Sequence, residues 1–312
     1  MKIGLESLID DGSVVHAEES RAFYLAKQAL GGQRGPTTYE ELMAARGLLA
    51  GAPADSRAVE CVARTGNAEV LVRVTRTSGG ECRAVYLDIH GGGFYMDSAR
   101  RSDARNARLA DAVGVPVVSV EYRLAPEHPW PAAPDDCETA AVWLIENARE
   151  LFGTERLLIG GASAGATLAM TTLLRLRDRG LVHPVLGAVL QFGAYDLSGQ
   201  TPGGRLYADE WFIQTYAGHV QDRTDPDVSP LYGDLGDLPP TLILVGTLDV
   251  LLEDNLAMAA RLSAAGNDVD IRAFPDAMHG FTFHPTSMAT AAQAGIETWL
   301  STRLDAARDQ PG

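Results

Sequence analysis

Leu157-Leu158-Ile159-Gly160-Gly161-Ala162-Ser163-Ala164-Gly165 joins an apolar run to a segment, Ala164 through Leu176, that is rich in helix formers. The run reads as a buried strand, and the G-x-S-x-G stretch at 161–165 reads as a tight strand-to-helix turn with a serine at its apex. A turn of that kind forces the serine into a strained backbone position. Side chains at the flanking glycines would strike the neighbouring strand and helix. The hydroxyl then stands at a helix N-terminus, where the dipole favours a developing anion. A glycine-rich turn that binds phosphate, or nothing, fits the same letters, so the context has to decide.

Outward from this turn the chain alternates. Val59, Val62, Val70, Val72 and Val74 suggest two strands that alternate in and out, and Ala84 to Ile89 reads as a buried one. Further apolar runs lie at Val115–Val120, Val185–Leu190, Thr241–Gly246 and Val269–Phe274, with helical patterns near 103–113, 135–149, 164–178, 253–265 and 288–304. Strand and helix in alternation imply crossover connections and a mostly parallel sheet covered on both faces. Two regions break the rhythm. Residues 1–50 have helical spacing (Ala22, Leu25, Ala26, Ala29, then Leu42, Ala45, Leu49) broken at Gly31-Gly32 and Gly35-Pro36. Residues 194–240 are rich in Gly, Pro and Asp around Trp211, Phe212 and Tyr216, as expected of a lid or binding insertion.

A serine nucleophile needs amides for the oxyanion, a base, and a carboxylate to orient the base. His90-Gly91-Gly92-Gly93 follows the strand ending at Ile89 and leaves backbone N–H groups free to approach an oxygen. His90 itself reads as a loop former. Among seven histidines His279 is best placed, a short loop beyond Val269–Phe274, with His284 its rival. Asp249 ends Leu244-Val245-Gly246-Thr247-Leu248-Asp249 just past a strand; Asp254 reads as helical and Asp276 is too near His279 in sequence to brace it. The order Ser163, Asp249, His279 is that of the α/β-hydrolase arrangement and not of either serine-protease order.

Composition narrows the partners. The 312 residues carry a net charge of −15, which repels phosphate backbones and anionic lipid, so neither nucleic acid nor a membrane surface is expected. Three scattered cysteines (Cys61, Cys82, Cys137) form neither a disulfide framework nor a metal knuckle. The opening Met1–Glu6 has no apolar leader run, and no stretch approaches a membrane span. A cytoplasmic protein in its reduced form is expected, needing no metal or other cofactor, with a neutral or cationic small molecule as partner. A homodimer through an edge strand is compatible with this reading.

The chain resembles the hormone-sensitive-lipase family of bacterial esterases. The resemblance rests on HGGGF at 90–94, Tyr122-Arg123-Leu124-Ala125-Pro126-Glu127-His128-Pro129-Trp130-Pro131-Ala132-Ala133, GASAG at 161–165, Asp225-Pro226 with Ser229-Pro230-Leu231, Pro239-Pro240 before the Asp249 strand, and Met278-His279-Gly280-Phe281. It implies an α/β-hydrolase fold with an eight-stranded, mostly parallel sheet and a helical cap. The cap would comprise residues 1–50 and the insertion 194–240, the core 51–193 and 241–312. It also implies that Gly92, Gly93 and Ala164 supply the oxyanion amides, and that the substrate is a short- to medium-chain acyl ester cleaved through an acyl-enzyme. The same three side chains would serve acyl transfer, lactone opening or dehydration, and a non-catalytic small-molecule binder is the remaining alternative. Departures from the family pattern are Ala162 for the Asp before the serine, Ala166 for a glycine, Met96-Asp97 where a glycine is usual, and Val250-Leu251 after Asp249. Tyr122–Ala133 reads as a rigid scaffold, while Phe23, Tyr24, Trp211, Phe212 and Tyr216 divide between pocket lining and cap core.

Overall fold

The computed structural model describes residues 8–9, 11–30, 35–50, 57–79 and 82–307. The Gly31-Gly32 break, the opening Met1–Glu6 and the residues just after position 50 lie outside them. Eight strands form one sheet: β1 (Ala58–Thr65), β2 (Ala68–Thr75), β3 (Val85–Ile89), β4 (Val117–Glu121), β5 (Leu157–Ala162), β6 (Val185–Gln191), β7 (Thr241–Gly246) and β8 (Val269–Phe274). Their order is β1-β2-β4-β3-β5-β6-β7-β8. β1 and β2 are a hairpin closed by Gly66-Asn67, with Gly66 at φ 58° supplying the backbone so short a turn needs. β2 is also antiparallel to β4; every later pairing is parallel, as the alternation of elements requires. One residue of the N-terminal segment, Ile9, bridges to Ala273 on the open side of β8.

Among the described residues eight α-helices accompany the sheet: α1 (Ala17–Ala29), α2 (Tyr39–Ala50), α3 (Asp103–Val113), α4 (Ala132–Phe152), α5 (Ala164–Asp178), α6 (Trp211–Ala217), α7 (Leu252–Ala264) and α8 (Ser287–Ala306). Alternation along the strands sends side chains into two cores. Leu158, Leu242, Leu244 and Val117 meet α3 and α8, whereas Ile159, Ile243, Val118 and Val120 meet α4, α5 and α7. α4 starts at Ala132, so the last two residues of the expected Tyr122–Ala133 loop are already helical. Residues 194–240 hold little regular structure beyond α6 and two single turns, Gly204–Leu206 and Pro230–Tyr232.

α1 and α2 are joined to the rest by charged contacts as well as by apolar ones. Leu42 of α2 is wholly buried. Arg46, one turn on, donates from Nε to the carbonyl of Tyr95 (2.9 Å), from Nη2 to that of Ala125 (2.7 Å), and from Nη1 to Glu127 (2.8 Å). Burial works against a charged Glu127, but Arg46 outweighs it and holds the carboxyl below its ordinary pKa. Arg46→Met keeps the aliphatic stem and leaves two carbonyls unpaired. It is expected to lower stability by about 1–3 kcal/mol in denaturant titrations, with Arg46→Lys intermediate.

Candidate active site

Ser163 lies between β5 and α5 at φ 54° and ψ −123°, a left-handed conformation that only dense surroundings can hold in a non-glycine residue. Those surroundings are backbone. A methyl on Gly161 would come within 2.3 Å of the carbonyl oxygen of Gly165, and one on Gly165 within 2.0 Å of that of Ile89. A methyl on Gly91 would likewise come within 2.7 Å of the oxygen of Ala162. The glycines on either side of the serine, and the first of the three after His90, therefore allow β3 and the β5 turn to touch without side chains. Ser163 donates its amide to Gln191 (2.8 Å) and accepts at its carbonyl from Ala166 (2.9 Å). Ala162 and Ala166 are buried among apolar neighbours.

The loops after β7 and β8 are held together just as closely. A methyl on Gly246 would lie 2.2 Å from the oxygen of Ala277, and the amides of Thr247 and Leu248 donate to Phe274 and Ala277 (both 2.9 Å). The first loop carries Asp249 and the second His279. Asp249 accepts from the Leu251 amide (2.9 Å) and lies 3.0 and 3.1 Å from His279 Nδ1; His279 Nε2 is 3.0 Å from Ser163 Oγ. The three residues read from the sequence thus meet in one line. Burial penalises a charged imidazole, yet the adjoining Asp249 carboxylate, by charge and hydrogen bond, more than offsets this and raises the His279 pKa. Phe192 stands edge-on to the imidazole at 5.1 Å.

The rival residues are occupied elsewhere. Asp254, on α7, accepts from Tyr207 (2.7 Å) and from the amides of Tyr195 and Asp196; burial pushes its pKa up to about 6 against those hydrogen bonds. Asp276 receives two hydrogen bonds from Arg21 of α1 (2.8 and 3.0 Å), and its carbonyl accepts from Ser20 (3.0 Å). His284 packs on Phe23 with ring centroids 4.6 Å apart. Burial first, then the charges of Lys27 and His279, lowers its pKa.

The HGGG loop runs beside the serine. Gly92 (φ 104°) and Gly93 (φ 63°) need left-handed backbone, and among the described residues neither amide donates to a protein acceptor. Ala164 is the first residue of α5, so its N–H has no partner within the helix. His90 is stacked on Tyr122 at 4.1 Å, with Nδ1 2.8 Å from the Gly91 oxygen, which makes it a loop former. The Tyr122 hydroxyl donates to the carbonyls of His90 (3.0 Å) and Gly91 (3.1 Å). Downstream, Arg123 pairs with Asp136, the Ala125 amide reaches the Phe94 carbonyl, and Trp130 Nε1 donates to Asp227. This segment is a brace for the glycine loop.

A cavity of about 1140 Å³ opens over these groups. Tyr24, Trp211 and Phe212 line it; Tyr216 stacks on Phe94 inside the protein, and Phe23 covers His284. Met96 and Asp97 are on the wall, Asp97 at φ 76° and 3.3 Å from Arg101. Sequence reasoning missed Arg46 and Arg21, and weighed Asp276 only as an acid for His279: each has a partner far along the chain. Among the described residues no cluster of His, Cys, Asp and Glu is placed to hold a metal ion, and no helix is long and apolar enough to cross a membrane.

A serine elbow, a glycine loop and a His–Asp pair at the C-terminal edge of such a sheet define an α/β hydrolase. Residues 86–283 match the alpha/beta hydrolase fold family, and the chain belongs to it, in the branch that resembles hormone-sensitive lipase. It is 34% identical over 229 residues to the carboxylic ester hydrolase LipN of Mycobacterium tuberculosis (68% of this chain, 61% of that protein). With the ethyl acetate hydrolase of Pseudomonas putida it shares 36% identity over 210 residues (64% and 66%). The matches thus span under two thirds of either relative's length. In three dimensions it superposes on a hormone-sensitive lipase from a metagenome library with a TM-score of 0.75 at 28% identity, covering 92% of this chain and 98% of the other. For the esterase of the archaeon Pyrobaculum calidifontis the values are 0.74 and 30%, covering 84% and 92%.

Because Gly165 has backbone on every side, Gly165→Ala is expected to push the glycine loop away from Ser163. Labelling of Ser163 by a fluorophosphonate should slow by about 10²-fold, as displacements near 1 Å do elsewhere; a labelling time course measures it.

Proposed function

We propose that the protein is a serine carboxylesterase acting on short- to medium-chain acyl esters through an acyl-enzyme. The observation that carries this reading is the position of His279, 3.0 Å from the Ser163 hydroxyl on one side and 3.0 Å from the Asp249 carboxylate on the other, beside the glycine loop. His279 accepts the serine proton as Oγ attacks the ester carbonyl, and Asp249 holds the imidazole with Nδ1 protonated. The oxyanion is received by the amides of Gly92, Gly93 and Ala164, each such donor being worth about 2.7–4 kcal/mol in the transition state. The alcohol leaves with the proton from His279; water, activated by the same base, releases the acid and restores Ser163.

In this reading residues 1–50 and 194–240 form a cap over a core of residues 51–193 and 241–312. Support comes from the cavity wall, where Tyr24 and Gln28 of α1 and Leu206, Trp211 and Phe212 of the insertion stand opposite Ser163 and the glycine loop. A cytoplasmic location fits the three unpaired cysteines.

Ser163→Ala is expected to abolish hydrolysis of aryl acetates while leaving the circular dichroism spectrum unchanged; retained turnover sinks the assignment. Asp249→Asn should lower kcat by about 10⁴, the figure of the Ser-His-Asp template. Base catalysis needs neutral His279, so kcat/KM should rise with pH through the raised pKa of that residue and level off in alkali. The residual activity of Asp249→Asn should show this ascending limb at lower pH, since the charge that raises the pKa is gone; a pH–rate profile tests both.

A further inference from the structure

The ionisable groups on the cavity wall largely cancel one another. Asp97 is 3.3 Å from Arg101, Arg105 lies 3.3 Å from the Asp88 carboxylate, and Asp249 backs His279. Glu210 differs. It lines the cavity and is exposed, and its carboxylate makes neither an ion pair nor a hydrogen bond among the described residues. It directly precedes Trp211 and Phe212 on α6, and both rings turn toward Tyr95: centroid distances are 5.7 Å for Trp211, nearly edge-on, and 6.0 Å for Phe212. All four residues line the same cavity wall, and burial, with the Glu210 charge adding to it, pushes the Tyr95 phenol up to about 12.

This corner adjoins the reacting groups. A methyl on Gly93 would lie 2.8 Å from the Tyr95 ring and 3.2 Å from that of Phe212. These rings thus stand directly beside the glycine loop, within reach of a molecule whose carbonyl meets it. Aromatic faces with one uncompensated carboxylate attract an organic cation, which the rings desolvate at little cost and the carboxylate neutralises. The chain's net charge of −15 concentrates cations near its surface in the same sense.

We propose that Trp211, Phe212 and Glu210, backed by the buried Tyr95, form a subsite for a quaternary or protonated ammonium group, so that the preferred substrates are esters carrying a positive charge. The inference rests on the carboxylesterase reading and specifies its substrate class. A purely apolar aryl pocket is the competing occupant.

The test compares two acetates of equal shape, choline acetate and its carbon isostere with a quaternary carbon in place of nitrogen. Wild-type protein is expected to favour the cation in kcat/KM by about tenfold. Glu210→Gln should cut that ratio several-fold, Glu210→Lys should invert it, and Trp211→Leu should lower it. Equal kcat/KM values in the wild type, a preference for the neutral ester, or a ratio unmoved by Glu210→Gln would overturn the subsite and leave the esterase reading intact. Absence of any Ser163-dependent hydrolysis of either acetate would overturn both.

Discussion

The site depends on a contact that involves no side chain at all. Where β3 ends and β5 turns into α5, the carbonyls of Ile89 and His90 press against Gly165, and that of Ala162 against Gly91. A single methyl in this seam would sit 2.0–2.7 Å from an oxygen, well inside van der Waals contact, and interiors this dense transmit such strain instead of absorbing it. The seam sets the distance between the serine and the glycine loop. It also keeps Ser163 at a φ of 54°, because relaxing the residue would move α5, whose first turn is part of the same contact. The strain at the serine is thus held by twelve fully or nearly buried residues of α5, and not by the turn alone.

A second backbone seam, Gly246 against Ala277, aligns the loops that carry Asp249 and His279. Two parallel strands, β7 and β8, end side by side there, so the crossover topology itself delivers an acid and a base to neighbouring loops. What remains is to orient two side chains. The Leu251 amide pins the Asp249 carboxylate, and Asp249 in turn fixes the imidazole from both oxygens. The sheet thus supplies coarse placement, and backbone hydrogen bonds supply the last ångström.

Legibility in the sequence followed the presence of a motif and not the range of the contact. The strand–turn–helix at 157–176 and the glycine loop are local signals; Ser163, Asp249 and His279 lie as much as 116 residues apart and were legible only because each follows a strand in a known chain order. The departure at Ala162 is legible afterwards as well: its side chain faces the apolar core under α8 and performs no task near the serine. Arg46 and Glu127, Arg21 and Asp276, and Trp130 and Asp227 are 81, 255 and 97 residues apart, and no periodicity or motif connects them. Whether an aromatic residue lines the cavity or fills the interior was equally opaque, since Phe212 and Tyr216 are four residues apart on one short helix and do opposite things. That division depends on where the helix axis lies over the sheet, a tertiary quantity.

These long-range pairs have a common direction. Arg46 ties α2 to the carbonyls of Tyr95 and Ala125, beside the glycine loop, and Arg21 with Ser20 ties α1 to Asp276, three residues before His279. α1 also presents Tyr24 and Gln28 to the cavity. The N-terminal helices are therefore fastened, among other contacts, to the two loops that matter most for the geometry around Ser163. Exposed ion pairs such as Arg21–Asp276 contribute little to global stability. Their consequence is local: they place α1, which walls the cavity, directly against the loop that carries His279.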